Sequence, residues 1–420
     1  MPFLVHVLGL AVFAQGTSEF MLSGLVPGLA RDLSVSPSTA AGLTSAYAIG
    51  MIIGAPVMAL LAARGRPRPA LAGFLTAFVA VHAVGALTTD VTVLYATRVA
   101  AAAANAGFLA VALPYAAALA GPARQARATA VLLSGVTLAC VVGVPAGAAL
   151  GEHLGWRWVF WSVAVLCLPA LALLVRSAPV ALAAGPGQVS GAIPDPDAGP
   201  LPGAADAGVT PPRTTSTDPA PNPADRVRRE LRTFRSRPLR GTLLCAALVN
   251  GATFASFAFL ALVATEVAGL PPAAVPALLA AFGTGAFAGV TVAGRASLRV
   301  PVVLGVLVPA WAMFALVAAY PLALFALAAL QGALSFALGT TLVSRVLRLA
   351  SEAPTLSGAS ATVALNTGAF AGPLLAAAAT AHTNDPRAAL WTSTALSVVA
   401  AVLTCRHSFA TSTRRTGVGR

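Results

Sequence analysis

Apolar residues run along this chain in long unbroken stretches, not in alternation with polar ones. Twelve stretches approach or exceed the roughly 20 residues that a membrane-spanning helix needs, at about 3–29, 38–63, 70–88, 91–119, 129–151, 157–175, 241–265, 273–293, 300–319, 321–344, 356–380 and 388–405. In lipid every backbone amide must be satisfied within its own segment, and runs this long and uniform do not suit barrel strands. The pattern therefore predicts an all-α membrane protein with twelve transmembrane helices.

The sixth and seventh runs are separated by a stretch of different character. From about Ala184 to Asp225 the chain is dense in Pro, Gly, Asp, Ser and Thr, too polar to bury enough surface to offset the entropy of ordering, and reads as a flexible linker. RVRRELRTFRSRPLR follows, with Val227, Leu231 and Phe234 at helical spacing among Arg226, Arg228, Arg229, Arg232, Arg235 and Arg237. It reads either as an interfacial helix over 226–237 facing anionic lipid or as a solvated basic flank. The expected organisation is a six-helix bundle over 1–176, a linker over 177–240, a second six-helix bundle over 241–406 and a tail over 407–420. Two similar halves are a common plan in secondary transporters. An echo between the halves agrees: Ala63-Arg64, Arg68 and Pro69 follow the second run, and Gly294-Arg295, Arg299 and Pro301 follow the eighth.

Composition supports lipid as the solvent, because 58% of residues are hydrophobic and 9% charged, with a mean hydropathy of +0.84. Soluble domains are less apolar and far more charged. The net charge of +13 would suit nucleic acid, but the basic residues are all arginines and alternate from loop to loop. Arg64, Arg66, Arg68, Arg124, Arg127, Arg295, Arg299, Arg345 and Arg348 fall on one side, and Arg31, Arg157 and Arg387 on the other. The positive-inside rule makes the first side cytoplasmic, with both termini there in the cell membrane and no nucleic acid as partner. The first run lacks a basic leader and is too long for a cleavable signal, so it is expected to be retained. Cys140, Cys167, Cys245 and Cys405 sit in or at the end of spans without paired spacing, indicating neither a disulfide framework nor a metal site.

Ionisable and polar groups within the spans carry the functional signal. Glu19 lies about halfway along the first run, where a carboxylate costs roughly 2.5–3.5 kcal/mol and marks a proton or substrate pathway by default. Gln15, Glu19 and Ser23 recur every four residues and so share a helix face; the competing reading is an interhelical hydrogen bond. Arg98 lies a few residues into the fourth run, with Asn105 two turns further on. It cannot shed its charge, so it tunes a nearby acid, holds helices together, or snorkels to the surface. Gly135, Gly143, Pro145, Gly147 and Gly151 punctuate the fifth run, where small residues let backbones close up and proline bends the helix. Gly368, Gly372 and Pro373 repeat the theme. Tyr47, His82, Asn250 and Gln331 are weaker signals that read first as local hydrogen bonders. Phe254 and Phe257 line a pocket or pack in the core. The sequence holds no nucleotide loop, HExxH, nucleophile elbow or paired catalytic acids, which counts against an enzyme.

Several of these stretches resemble the major facilitator superfamily, and within it the twelve-helix drug:proton antiporters. GTSEFMLSGLVPGLARDL resembles the first-helix signature, VLYATRVAAAAANAG the fourth-helix motif, and GVPAG followed by GEHLGWRWVFW the fifth-helix antiporter motif and the entry to the sixth helix. The pattern is most similar to the chloramphenicol-resistance exporters of actinomycetes. The loop LLAARGRPRPAL departs from the family by placing Ala62 where an acid is expected, while Gly65, Arg66 and Arg68 remain as gating-loop residues. The resemblance implies two pseudo-symmetric halves, Glu19 as titrating acid, Arg98 as coupling residue, and Gly143, Pro145 and Gly147 as a close-packed interface between halves. It also implies a substrate site drawn from Gln15, Glu19, Ser23, Tyr47, Asn105, Asn250, Phe254 and Phe257.

The expected function is proton-coupled efflux of a small amphipathic drug, chloramphenicol first, by a monomer that needs no cofactor beyond the proton gradient. Export of a metabolite such as a sugar or amino acid is the alternative, and a membrane enzyme or receptor the third. Because a disordered tether adds reach and no contacts, deleting Gly187 to Asp218 should leave transport by well-expressed protein within about twofold of the parent. Complete loss of vesicle transport would contradict the linker assignment.

Overall fold

The computed structural model describes residues 2–62, 66–176, 236–296, 298–350 and 354–416. Gly65, most of the linker and the basic segment up to Arg235 lie outside the described residues. Those described form helices α1 (Phe3–Phe20), α2 (Leu22–Asp32), α3 (Pro37–Ala62), α4 (Pro67–Leu87), α5 (Val91–Ala120), α6 (Gln125–Leu138), α7 (Val144–Leu154) and α8 (Trp156–Arg176) in the first half of the chain. The second half supplies α9 (Arg237–Leu262), α10 (Val275–Arg295), α11 (Val300–Val317), α12 (Pro321–Leu349), α13 (Pro354–Thr383) and α14 (Ala388–Thr416). Twelve helical stretches are long and apolar enough to cross a membrane. They match the twelve expected runs, with ends displaced by a few residues where flanking Arg, Thr and Pro extend a helix past its apolar stretch.

Among the described residues the seventh crossing ends in a π-helical turn over Val263–Val267, and two others are interrupted nearer their middle. The first run breaks at Met21, between α1 and α2, and the Ser23 hydroxyl donates to the freed Phe20 carbonyl at 3.1 Å. The fifth carries a π-helical turn over Ala139–Gly143, in which the Val144 amide reaches back five residues to the Ala139 carbonyl. In that wider register the Cys140 carbonyl would be met by the amide of residue 145, and Pro145 has none. That carbonyl is met by Gly283 of α10 instead, so closely that a Cβ there would stand 2.2 Å from it.

The glycines of the fifth crossing close on the first crossing of their own half. A Cβ at Gly135 would lie 2.7 Å from the Gly9 carbonyl, and one at Gly143 2.1 Å from Thr17 Oγ1. The opposite face of the π turn, at Cys140, meets the second half. The segment that carries Gly143, Pro145 and Gly147 does pack against α10 of the second half, while Gly143 and Gly147 make their tightest approaches within their own half. One face of this helix bears the glycines, and the close inter-half approach needs its glycine from the partner helix.

The described contacts between halves run from mid-span to the end of the bundle that carries Asp32. Ser45 Oγ donates to the Phe370 carbonyl at 2.8 Å and Ser38 Oγ to the Ala377 carbonyl at 3.4 Å, joining α3 to α13. Phe20 stacks on Phe254 with ring centroids 5.7 Å apart and meets Phe257 edge-on at 6.4 Å. Overpacking a close helix contact costs on the order of 1–3 kcal/mol. Gly135→Ala should therefore lower the unfolding midpoint in detergent, whereas Gly305→Ala, which meets nothing within 4 Å, should hold or raise it.

Candidate functional site: a buried arginine beside a carboxylate

The last turn of α1 meets α3, α4 and α5 in a polar cluster enclosed by apolar side chains. Arg98 of α5 has no exposed surface. Its Nη1 donates to Ser18 Oγ at 2.8 Å and its Nη2 to the Ser18 carbonyl at 2.6 Å. The carbonyls of a helix's last turn lack partners within that helix, so α1 offers Arg98 an acceptor that a continuous helix would have used. The guanidinium face lies 4.5 Å from the centre of the Tyr47 ring, a cation–π geometry. Tyr47 in turn accepts from Asn105 Nδ2 at 2.9 Å.

Glu19 is half-buried and forms no hydrogen bond or ion pair among the described residues. It lies within electrostatic reach of Arg98, Tyr47 and Cys140, yet Arg98 bonds its neighbour Ser18 instead. The outcome is a carboxylate influenced by a fixed cation without being clamped to it. Gln15, one turn earlier on the same face, is fully buried with neither amide atom partnered, and the Asn105 carbonyl is likewise unpaired. Buried polar atoms without partners are rare enough in native proteins that each one calls for a reason.

Other expected site residues lie elsewhere. Ser23 Oγ donates back to the Phe20 carbonyl across the helix break. Asn250 ties α9 to α13 through the Leu365 carbonyl at 2.7 Å. Phe254 and Phe257 are buried, but they pack beside Phe20, the residue after Glu19. Arg68 Nε donates to Tyr115 Oη, and Arg66 is exposed. Ser18 joins the cluster without having been chosen from sequence, and His82 joins it from among the residues read only as local hydrogen bonders. His82 is buried and bonded to Ser18 at 2.7 Å.

A second polar group lies at the Asp32 end, beside a cleft of about 980 Å³ lined by Arg31, Asp32, Glu152, Trp156 and Arg157. Asp32 pairs with Arg157 and accepts from Trp156 Nε1 at 2.8 Å, while Arg157 Nη2 reaches the Thr88 carbonyl at 3.3 Å. This group pins α2, the end of α4 and the start of α8 together.

A model of the Major Facilitator Superfamily matches residues 8–363. The chain is 49% identical over 405 residues to a chloramphenicol resistance protein of Streptomyces lividans, covering 95% of each. It is 30% identical over 374 residues to the inner membrane transport protein YdhP of Escherichia coli O157:H7, across 86% of this chain and 84% of that one. Among solved structures, a bacterial homolog of the human lysosomal transporter Spinster superposes with a TM-score of 0.72 at 17% identity, covering 97% of this chain and 96% of that one. A D-xylose-proton symporter does so at 0.67 and 14%, covering 95% of each. At those identities the two structures share the fold alone.

The Asp32 group gives a pH signature. Hydrogen bonds from Trp156 and Arg157 hold its carboxyl below the ordinary value of 3.8. A carboxyl depressed on folding adds stability above its unfolded pKa, and that increment is lost as pH falls through the folded value. The melting temperature of the parent should exceed that of Asp32→Asn at neutral pH, with the gap closing only below about pH 3.8. Detergent melting curves from about pH 7 to about pH 3 check this; a gap that does not vary with pH would contradict it.

Proposed function

The chain belongs to the major facilitator superfamily, and on that premise we propose that it exports a small amphipathic drug, chloramphenicol first, in exchange for protons. The family and the twelve apolar helices are those of a multi-pass membrane transporter. The name of the 49% identical Streptomyces relative supports the substrate class. The observation that carries proton coupling is Glu19, half-buried at mid-span, beside a fully enclosed arginine and unpaired among the described residues. In this reading both termini are cytoplasmic in the cell membrane, the Asp32 end faces outward, and the described contacts close that end.

Protonation of Glu19 from outside releases the drug there, and loss of the proton to the cytoplasm restores the carboxylate for the next molecule. Coupling requires that proton and drug each bind the inward and outward states with different affinity. A neutral amphipathic substrate suits a mainly apolar cavity with a few convergent polar groups. Gln15, Tyr47 and Asn105 supply these, and Phe254 and Phe257 supply aromatic surface. Exchange of an uncharged drug for a proton moves net charge, so transport responds to the membrane potential as well as the pH gradient.

Expression in a sensitive host should raise chloramphenicol tolerance and lower intracellular drug, with a protonophore reversing both and the drug chemically unchanged. Modified drug, or unchanged accumulation despite verified membrane expression, would turn the assignment toward the metabolite reading. Glu19→Gln should reduce gradient-driven uptake into inverted vesicles to the background of empty vesicles while leaving expression intact. Arg98→Ala should reduce uptake more than Arg98→Lys, because the fixed charge is the contribution at issue; parental uptake in both would remove Arg98 from the coupling machinery.

A further inference from the structure

We infer that His82 is a positioning residue for proton coupling, acting through the Ser18 hydroxyl to hold the Arg98 guanidinium away from Glu19. The inference rests on the coupling role proposed for Glu19 and Arg98. It goes beyond that role by naming what fixes the arginine.

The hydrogen positions follow from the chemistry of the partners. His82 Nδ1 lies 2.8 Å from the Phe78 carbonyl, which only accepts, so Nδ1 carries the hydrogen. In the neutral ring Nε2 then bears a lone pair. Ser18 Oγ lies 2.7 Å from Nε2, and the serine donates to it. Arginine has no acceptor, so the bond of 2.8 Å between Arg98 Nη1 and Ser18 Oγ runs from arginine to serine. The result is one directed chain from Arg98 through Ser18 and His82 to the Phe78 carbonyl, in which each hydrogen has a single place. His82 and Ser18 are 1% and 0% exposed, and Phe78 and Phe160 pack against the imidazole at 4.1 and 5.7 Å between ring centres.

Removing the Nε2 lone pair leaves the Ser18 hydroxyl without its acceptor. Its hydrogen then turns elsewhere, the lone pair facing Arg98 is misdirected, and the guanidinium keeps only the Ser18 carbonyl and the Tyr47 face. The unengaged arginine is then free to swing toward the nearest anion, Glu19. A direct pair would convert a carboxylate influenced from a distance into one that is clamped. Drug–drug counterflow moves no net proton and needs no gradient to drive Glu19 between its states, so it should survive.

Proteoliposomes with labelled chloramphenicol separate the possibilities. His82→Leu keeps the bulk and removes the acceptor. It should lower the Vmax of gradient-driven uptake roughly tenfold, the scale on which outer-layer positioning bonds act, with KM within about twofold and drug–drug counterflow near the parental rate. His82→Gln, whose amide oxygen reaches as far as Nε2, should recover most of the driven rate. His82→Asn, which satisfies only the Phe78 carbonyl, should not. In a Ser18→Ala background His82→Leu should add no further loss, because both act through one hydroxyl. Parental driven uptake in His82→Leu, equal loss of driven uptake and counterflow, no recovery with glutamine, or additive losses would each overturn the inference. Parent protein showing no gradient-driven uptake would overturn the proposed function instead, which keeps the two failures distinct.

Discussion

A guanidinium that cannot give up its charge has been sealed inside a bundle that lipid surrounds, and the first four crossings are arranged around that fact. An arginine at the centre of a spanning helix costs roughly 2.5–3.5 kcal/mol on insertion scales, which bounds the cost at Arg98, two turns into α5. Hydrogen bonds to charged groups return about 1.5–3 kcal/mol each, and a desolvated cation–π contact about 2 kcal/mol. Two bonds to Ser18 and the face of Tyr47 therefore offset the cost, even though the buried Nε has no hydrogen-bond partner among the described residues. The offset depends on an acceptor that a continuous helix would not present. The break at Met21 thus belongs to the same device as Arg98, and the carboxylate next to Ser18 inherits a fixed positive field.

Exchange between two states requires helices that are close-packed yet able to separate. The fifth crossing meets this with two different faces. Its glycines commit it to α1 within its own half, and the carbonyl exposed by Pro145 and the π turn reaches Gly283 of the other half. The interface between halves rests on main-chain carbonyls, two serine hydroxyls and phenylalanine rings. Contacts of this kind bury no charge and leave no buried ion behind when they part, so separating them is cheap compared with breaking the Arg98 cluster.

The sequence disclosed the frame and the charged centre for the same physical reason. Lipid forbids unsatisfied amides and isolated charges, so spans and intramembrane ions such as Glu19 and Arg98 stand out from their surroundings. Ser18 carried no such signal and His82 only a weak one, because a lone serine or histidine in a membrane helix is ordinary. Their bond joins positions 64 residues apart, and nothing local specifies it. The four-residue stripe of Gln15, Glu19 and Ser23 presumes an unbroken helix, whereas the run is interrupted at Met21. Glycine spacing indicated that the fifth crossing packs tightly but not against which neighbour.

Glu19 and Phe20 are consecutive residues with opposite commitments, and this joins the polar cluster to the interface between halves. The carboxylate faces the field of Arg98, while the adjoining ring is stacked on Phe254 of the second half. Both lie in the final turn of α1, bounded by the Ser18 carbonyl that Arg98 grips and the Phe20 carbonyl that Ser23 caps. One turn of helix therefore carries the anchor, the carboxylate proposed to titrate and the cross-half contact. A change in the charge of Glu19 needs no long pathway to reach the other half, since the displaced backbone is the one that bears Phe20. On the proposed role of Glu19, coupling is thus local at its origin, and motion of the halves serves to change which side of the membrane that turn can see.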